Sequence, residues 1–148
     1  MNTKSIVVEY ARETHRQTWT RSSDVSTQTK AAISVCQVWQ EVVRKHFGQR
    51  MVAEHGLGDG KMNEKLDLVD VQDRVAYELK ASPNNTHFEF YRDVFKVLVF
   101  NQRNPGSPLK TLVFITPEEG ARSLRKPFTD EVIKIASVAG IVVEVIGI

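Results

Sequence analysis

The sequence predicts an α/β domain: a mixed β-sheet of about five strands flanked by α-helices, in the order helix, three strands, helix, strand, helix, strand. Three observations predict it. A long stripe of apolar residues at helical spacing comes first, two short strand-like runs separated by a turn follow, and the second half alternates helix-spaced segments with apolar runs of strand length. No repeat, low-complexity tract or long linker divides the chain, so residues 1–148 read as one domain.

Taken in order, Ser5 to Tyr10 reads as a short strand, and the polar stretch from Arg12 to Ser23 as an arm or loop, so that residues 1–22 form an N-terminal arm. A helix starting at Ser23-Asp24 or Ser26 runs to about Phe47. Its residues Ala32, Val35, Cys36, Trp39, Val42, Val43 and Phe47 form one apolar stripe, and Gly48 stops it. Arg50 to Leu57 is extended, and Gly56, Gly58 and Gly60 mark a turn or loop. Lys65 to Val71 and Arg74 to Ala81 form a hairpin about Gln72-Asp73. Thr86 and Glu89 have the spacing of a capping box ahead of a helix that ends before Pro105-Gly106. Leu109 to Ile115 has the continuous apolar character of a strand covered on both faces. Thr116-Pro117-Glu118-Glu119 supplies a cap, a proline at the first helical position and acid in the first turn of a short helix. A last helix, about Thr129 to Ala139, stops at Gly140 before a strand from Ile141 to Ile146.

With 41% hydrophobic and 26% charged residues, the composition excludes a disordered chain, and no apolar run reaches the roughly 20 residues of a membrane span. The single cysteine, Cys36, excludes an intrachain disulfide, so a cytoplasmic protein is expected. A net charge of +2 does not by itself indicate a nucleic-acid partner. Local basic clusters do exist: Arg12, His15, Arg16 and Arg21 around Trp19; Arg44-Lys45-His46 with Arg50; and Arg122, Arg125 and Lys126. Each also fits an ordinary solvated surface.

The segments Lys65-Leu66-Asp67-Leu68-Val69-Asp70-Val71 and Arg74-Val75-Ala76-Tyr77-Glu78-Leu79-Lys80 carry the chemistry. A hairpin turn of two or four residues places Asp67 directly opposite Glu78, with Cβ atoms about 5 Å apart. Alternation puts Lys80 on the face of Glu78, Lys65 across from it, and Leu66, Leu68, Val75, Tyr77 and Leu79 on the other face. Opposed carboxylates repel, so a compensating cation is expected. Mg²⁺ suits a pair of carboxylates completed by water and phosphate, with Mn²⁺ as a substitute. Lys80 would then hold a water or stabilise charge on a phosphate. The alternative is a surface charge cluster in which Lys80 bridges the acids.

Asp67 followed by Glu78-Leu79-Lys80, after a helix and ahead of helix, strand, helix and strand, resembles the PD-(D/E)XK nuclease superfamily with its restriction-endonuclease-like and resolvase-like folds. The resemblance covers about Ser26 to Ile148. It implies a restriction-endonuclease-like fold and a Mg²⁺-dependent endonuclease acting on DNA, with Asp67 and Glu78 as metal ligands and Lys80 assisting hydrolysis. Leu66 stands where the superfamily's name has proline. Members often add an acidic residue from the first helix. Here Glu41 faces away from the Trp39 stripe, so Gln28, in line with it, is the candidate supporting residue, with Glu54 a further one. A domain of this size implies a homodimer or a partner subunit. A noncatalytic DNA-binding or assembly protein on the same scaffold is the competing expectation.

Other signals are weaker. Asp70 and Asp73 read as turn residues, and His15, His46, His55 and His87 lack zinc-type spacing with Cys36. Gly56 to Lys61 fails the Walker pattern, because Met62 stands in place of Ser/Thr and His55 in place of the first Gly. Asn84-Asn85-Thr86 reads as helix capping and not as a glycosylation site. Phe88, Phe90, Tyr91 and Phe95 read mostly as core, whereas Trp19 is placed for stacking on a base or a partner.

Overall fold

An apolar strand near the centre of a sheet needs cover on both faces, and the computed structural model, which describes residues 1–58 and 62–148, supplies it with helices on either side. The elements are α1 (Thr3–Thr18), α2 (Val25–Phe47), a 3₁₀ turn (Gly48–Arg50), β1 (Met51–Gly56), β2 (Lys65–Asp70), β3 (Val75–Leu79), α3 (Thr86–Arg103), β4 (Thr111–Thr116), α4 (Glu118–Ser123), α5 (Pro127–Val138) and β5 (Val142–Gly147). The described residues form one five-stranded sheet, ordered β1-β2-β3-β4-β5. It is mixed. β1, β2 and β3 pair antiparallel, whereas β3, β4 and β5 pair parallel through crossovers that carry the helices.

Each sheet face has its own core. On one, Val7, Ala11, Val35, Trp39 and Val43 from α1 and α2 pack on Leu68, Tyr77, Leu79, Val113 and Ile115. On the other, Phe90, Val94, Val97 and Phe100 of α3 and Ala136 of α5 pack on Ala76, Leu112, Phe114 and Val143. Gly48 (φ +61°) and Gly140 (φ +84°) end α2 and α5 in the left-handed region, which only glycine adopts at little cost. Among the described residues no helix is long and apolar enough to cross a membrane.

The N-terminal expectation is overturned. Residues 1–22 are neither strand nor arm: α1 is a helix of four and a half turns packed against α2, with Asn2 Oδ1 capping it by accepting from the Ser5 amide at 2.8 Å. Val7, Val8, Ala11 and Thr14 recur at helical spacing and are buried, and that periodicity outweighs the β-branched Ile6-Val7-Val8 run. The α1 backbone is also tied to the rest of the fold, since the buried Trp39 indole N–H donates to the Val7 carbonyl at 3.1 Å. Trp19 stacks on His15 and packs against the α1/α2 core.

Smaller corrections have local causes. The capping box at Thr86 does not form. Thr86 is the first helical residue, its hydroxyl donates to the Pro83 carbonyl, and Asn85 enters the helix in the left-handed conformation with no side-chain cap. Pro117 sits at the cap of α4, one position before the expected one. Phe90 is fully buried but Phe88 and Phe95 are each 66% exposed, because their side of α3 faces away from the sheet. Gly60 and Lys61 of the expected glycine loop lie outside the described residues.

Asp70 and Asp73 act in the β2–β3 turn. Asp70 is completely buried, accepts from the Gln72 and Asp73 amides, and forms a two-pronged ion pair with Arg50 at 2.9 and 2.6 Å. Arg50 reaches Asp73 as well, so its charge serves the fold. Asp70→Ala would leave two turn amides and a partly buried guanidinium without their acceptor. We expect a loss of about 3 kcal/mol in urea unfolding, with an unchanged m-value.

Candidate active site at the β2–β3 fork

The hairpin ladder pairs Asp70 with Val75, Val69 with Ala76 and Leu68 with Tyr77. One step further lie Asp67 and Glu78, and there backbone pairing gives way to side chains. The Asp67 amide donates to Glu78 Oε1 at 3.2 Å, and the Leu79 amide donates to Asp67 Oδ2 at 2.9 Å. Beyond the fork β3 follows β4, the Lys80 amide donating to the Ile115 carbonyl. The two acids thus replace ladder bonds where the strands part, and each carboxylate gains a fixed orientation.

The fork also changes the expected faces. Leu68, Val75, Tyr77 and Leu79 do pack on the α1/α2 side, but Leu66 joins the α3 core, so strict alternation breaks at Asp67. Across β1 from that point, Glu54 has φ +50°, a strained value for a non-glycine residue inside a strand. Its carboxylate accepts from the Gln40 amide nitrogen at 2.8 Å and borders the same cavity.

That cavity, of about 430 Å³, lies between α2 and α3 at the fork. Asp67, Glu78 and Lys80 all line it, together with Glu54, Cys36, Asp93 and Lys96. Gln28 does not. It donates to the Ser82 hydroxyl at 3.3 Å in an adjoining cleft of about 190 Å³, where Lys80 is the residue common to both hollows. The α2 residue turned toward the acids is therefore Cys36, whose thiol donates to the Leu79 carbonyl. Burial, then the charges of Asp67 and Glu78, push that thiol well above its ordinary range and disfavour the thiolate.

Sequence reasoning missed Lys96. Its ammonium donates to Glu78 Oε1 at 3.0 Å and to the Lys65 carbonyl at 2.8 Å, and pairs with Asp93 Oδ1 at 2.8 Å. It is Lys96, and not Lys80, that bridges acids here. Among the described residues Lys80 makes no ion pair. The signal was present in α3: Asp93 and Lys96, three residues apart, sit on the buried side that carries Phe90, Val94 and Val97. A charged pair on a core-facing stripe needs a reason.

Electrostatics follow from this crowding. Burial, then the charges of Asp67 and Asp93, hold Glu78 well above the usual carboxylate range despite Lys96. Burial likewise raises Asp67, against the bond from the Leu79 amide and the charge of Lys96. Burial pushes Asp93 up to about 7. For Lys96, desolvation works against the charge, but Glu78 and Asp93 outweigh it and the ammonium is held above its ordinary value.

Three clustered carboxyls around one ammonium leave an excess of two negative charges when all are ionised, which one divalent cation would neutralise. Among the described residues no three His, Cys, Asp or Glu side chains are grouped to enclose a metal by themselves. Mg²⁺ needs no such cage, because it keeps several waters beside one or two carboxylates. Comparison with protein-family models, with curated proteins and with solved structures finds no significant match to this chain.

Acids raised by folding bind protons that the unfolded chain releases, so their contribution to stability is full below the unfolded carboxyl range and lost as pH rises through the folded values. The metal-free protein should therefore lose stability between about pH 4.3 and 7, the lower bound being the usual carboxyl value. Asp67→Asn should raise the melting temperature at pH 8 while leaving it nearly unchanged at pH 4. Thermal scans of both proteins across that range check it, and an equal shift at both pH values would contradict it.

Proposed function

We propose that this chain is a Mg²⁺-dependent endonuclease of the PD-(D/E)XK, restriction-endonuclease-like kind, hydrolysing phosphodiester bonds in DNA. The observation that carries the reading is the placement of Asp67 and Glu78 at the fork of two neighbouring strands, on one cavity that Lys80 also lines. The element order from α2 to β5 and the mixed five-stranded sheet are compatible with that fold.

Asp67 and Glu78 would hold the cation, with Mn²⁺ an acceptable substitute. When bound, it would polarise a phosphoryl oxygen and lower the pKa of an attacking water. The chain's own contribution is positional. The Leu79 and Asp67 amides fix one oxygen of each acid, and Lys80, half-buried and unpaired among the described residues, offers its ammonium to the water or to charge growing on the phosphate. Gln28, hydrogen-bonded in the cleft behind Lys80, would support that lysine and not the metal. Arg44 and Lys45 border a groove that shares Glu54 with the cavity, a route for a phosphate backbone.

The noncatalytic alternative, a DNA-binding or assembly protein on the same scaffold, draws on Lys96, which already gives Glu78 a cation. Assays on plasmid, single-stranded and branched DNA with Mg²⁺ or Mn²⁺ separate the two. Cleavage should fall by at least about 100-fold in Asp67→Ala and Lys80→Ala. Cleavage unchanged in both variants would refute the assignment, and binding without cleavage under either metal would favour the alternative.

A homodimer or partner subunit belongs to this reading. Phe88 and Phe95 on α3 and Phe128 and Ile135 on α5 are all more than 60% exposed, and Tyr91 of α3 meets Phe128 edge-on, with ring centroids 5.5 Å apart. Sedimentation should show self-association that Phe128→Glu weakens; a monomer with full activity would contradict it.

A further inference from the structure

We infer that Lys96 is a positioning residue that occupies the second cation position of this site, so that the cavity takes a single divalent metal ion. The inference rests on the metal-site reading above and deepens it. Four oxygens belong to Asp67 and Glu78, and two are already engaged: Asp67 Oδ2 by the Leu79 amide, and Glu78 Oε1 by both the Asp67 amide and the Lys96 ammonium. Among the described residues no N–H group donates to Asp67 Oδ1 or Glu78 Oε2. One oxygen from each acid is thus left for a metal.

Lys96 cannot be moved aside cheaply. An ammonium has three N–H bonds, and here Glu78 Oε1 and the Lys65 carbonyl accept one each at 3.0 and 2.8 Å, while Asp93 Oδ1 forms an ion pair with the same nitrogen at 2.8 Å. Three oxygens of the protein already surround the ammonium, so Lys96 acts through Glu78 and not on substrate. It is also enclosed, with its side chain only 10% exposed and anchored from α3 to both β2 and β3. A second metal on the Glu78 and Asp93 side would lie about 2.1 Å from their oxygens and would collide with the nitrogen that already joins them.

A two-metal site places its ions about 3.5–4 Å apart, bridged by a shared carboxylate with access to further acids. Asp93 would supply that further acid, but its carboxylate is spent on Lys96. Removing the ammonium while keeping both acids would open the position.

The test is stoichiometry. Mn²⁺ is titrated into the full chain at pH 8 and followed by calorimetry and by the electron paramagnetic resonance of free Mn²⁺. The wild type should bind one ion per chain, and Lys96→Met should bind two, with spin coupling between them. Because Lys96→Met leaves buried acids uncompensated, at a cost to folding, Lys96→Met/Asp93→Asn serves as a second variant that removes charge of both signs together. That variant should bind one ion, with affinity reduced about tenfold because only the Asp67 amide then orients Glu78. Two ions in the wild type, or affinity in the double variant equal to wild type, would overturn the inference while leaving a metal-dependent nuclease standing. No ion bound by the wild type, with no cleavage, would overturn both.

Discussion

The rest of the site depends on the exchange of backbone partners at the end of the β2–β3 ladder. Past Leu68 and Tyr77 the strand amides no longer find carbonyls across the gap; they find the carboxyl groups of Asp67 and Glu78. An amide inside a fold must be paired, and an acid inside a fold must be hydrogen-bonded or neutralised. Each need answers the other. The fork lets a buried Glu78 and a partly buried Asp67 lie side by side and opens the cavity they line.

Local strain and crowded charge both gather at this point. Glu54 takes a left-handed conformation beside Asp67, the β2 alternation breaks there, and Lys96 is drawn in from α3 to meet Glu78 and Asp93. Buried acids with raised pKa values oppose stability at neutral pH, and the cores on both sheet faces bear that cost. Clusters of this kind mark functional sites more often than structural ones, since packing alone would be served better by apolar residues.

The basic residues divide by their partners. Arg12 and Arg16 pair with Glu9 and Glu13 on α1, Arg21 with Glu119, Arg125 with Glu118, and Arg50 with the β2–β3 turn. Arg44 and Lys45 are exposed on α2 beside the groove that adjoins the cavity. Clusters that look alike in sequence therefore differ in the charge they leave for a ligand.

The sequence alone determined most of the elements from α2 to β5, because helix and strand periodicities, the stop at Gly48 and the stop at Gly140 are local properties of the chain. It also determined that Asp67 faces Glu78, since a short hairpin turn leaves few registers. It misjudged α1, where a β-branched run imitated a strand, and whose burial depends on packing against α2. Only the tertiary structure decided that Lys96 and Asp93 reach the acids from another element, that Gln28 lies in a neighbouring cleft, and that Leu66 leaves the face of Leu68. Those outcomes turn on how α2 and α3 seat against the sheet and on how far two strands diverge, and no spacing within a single segment encodes either.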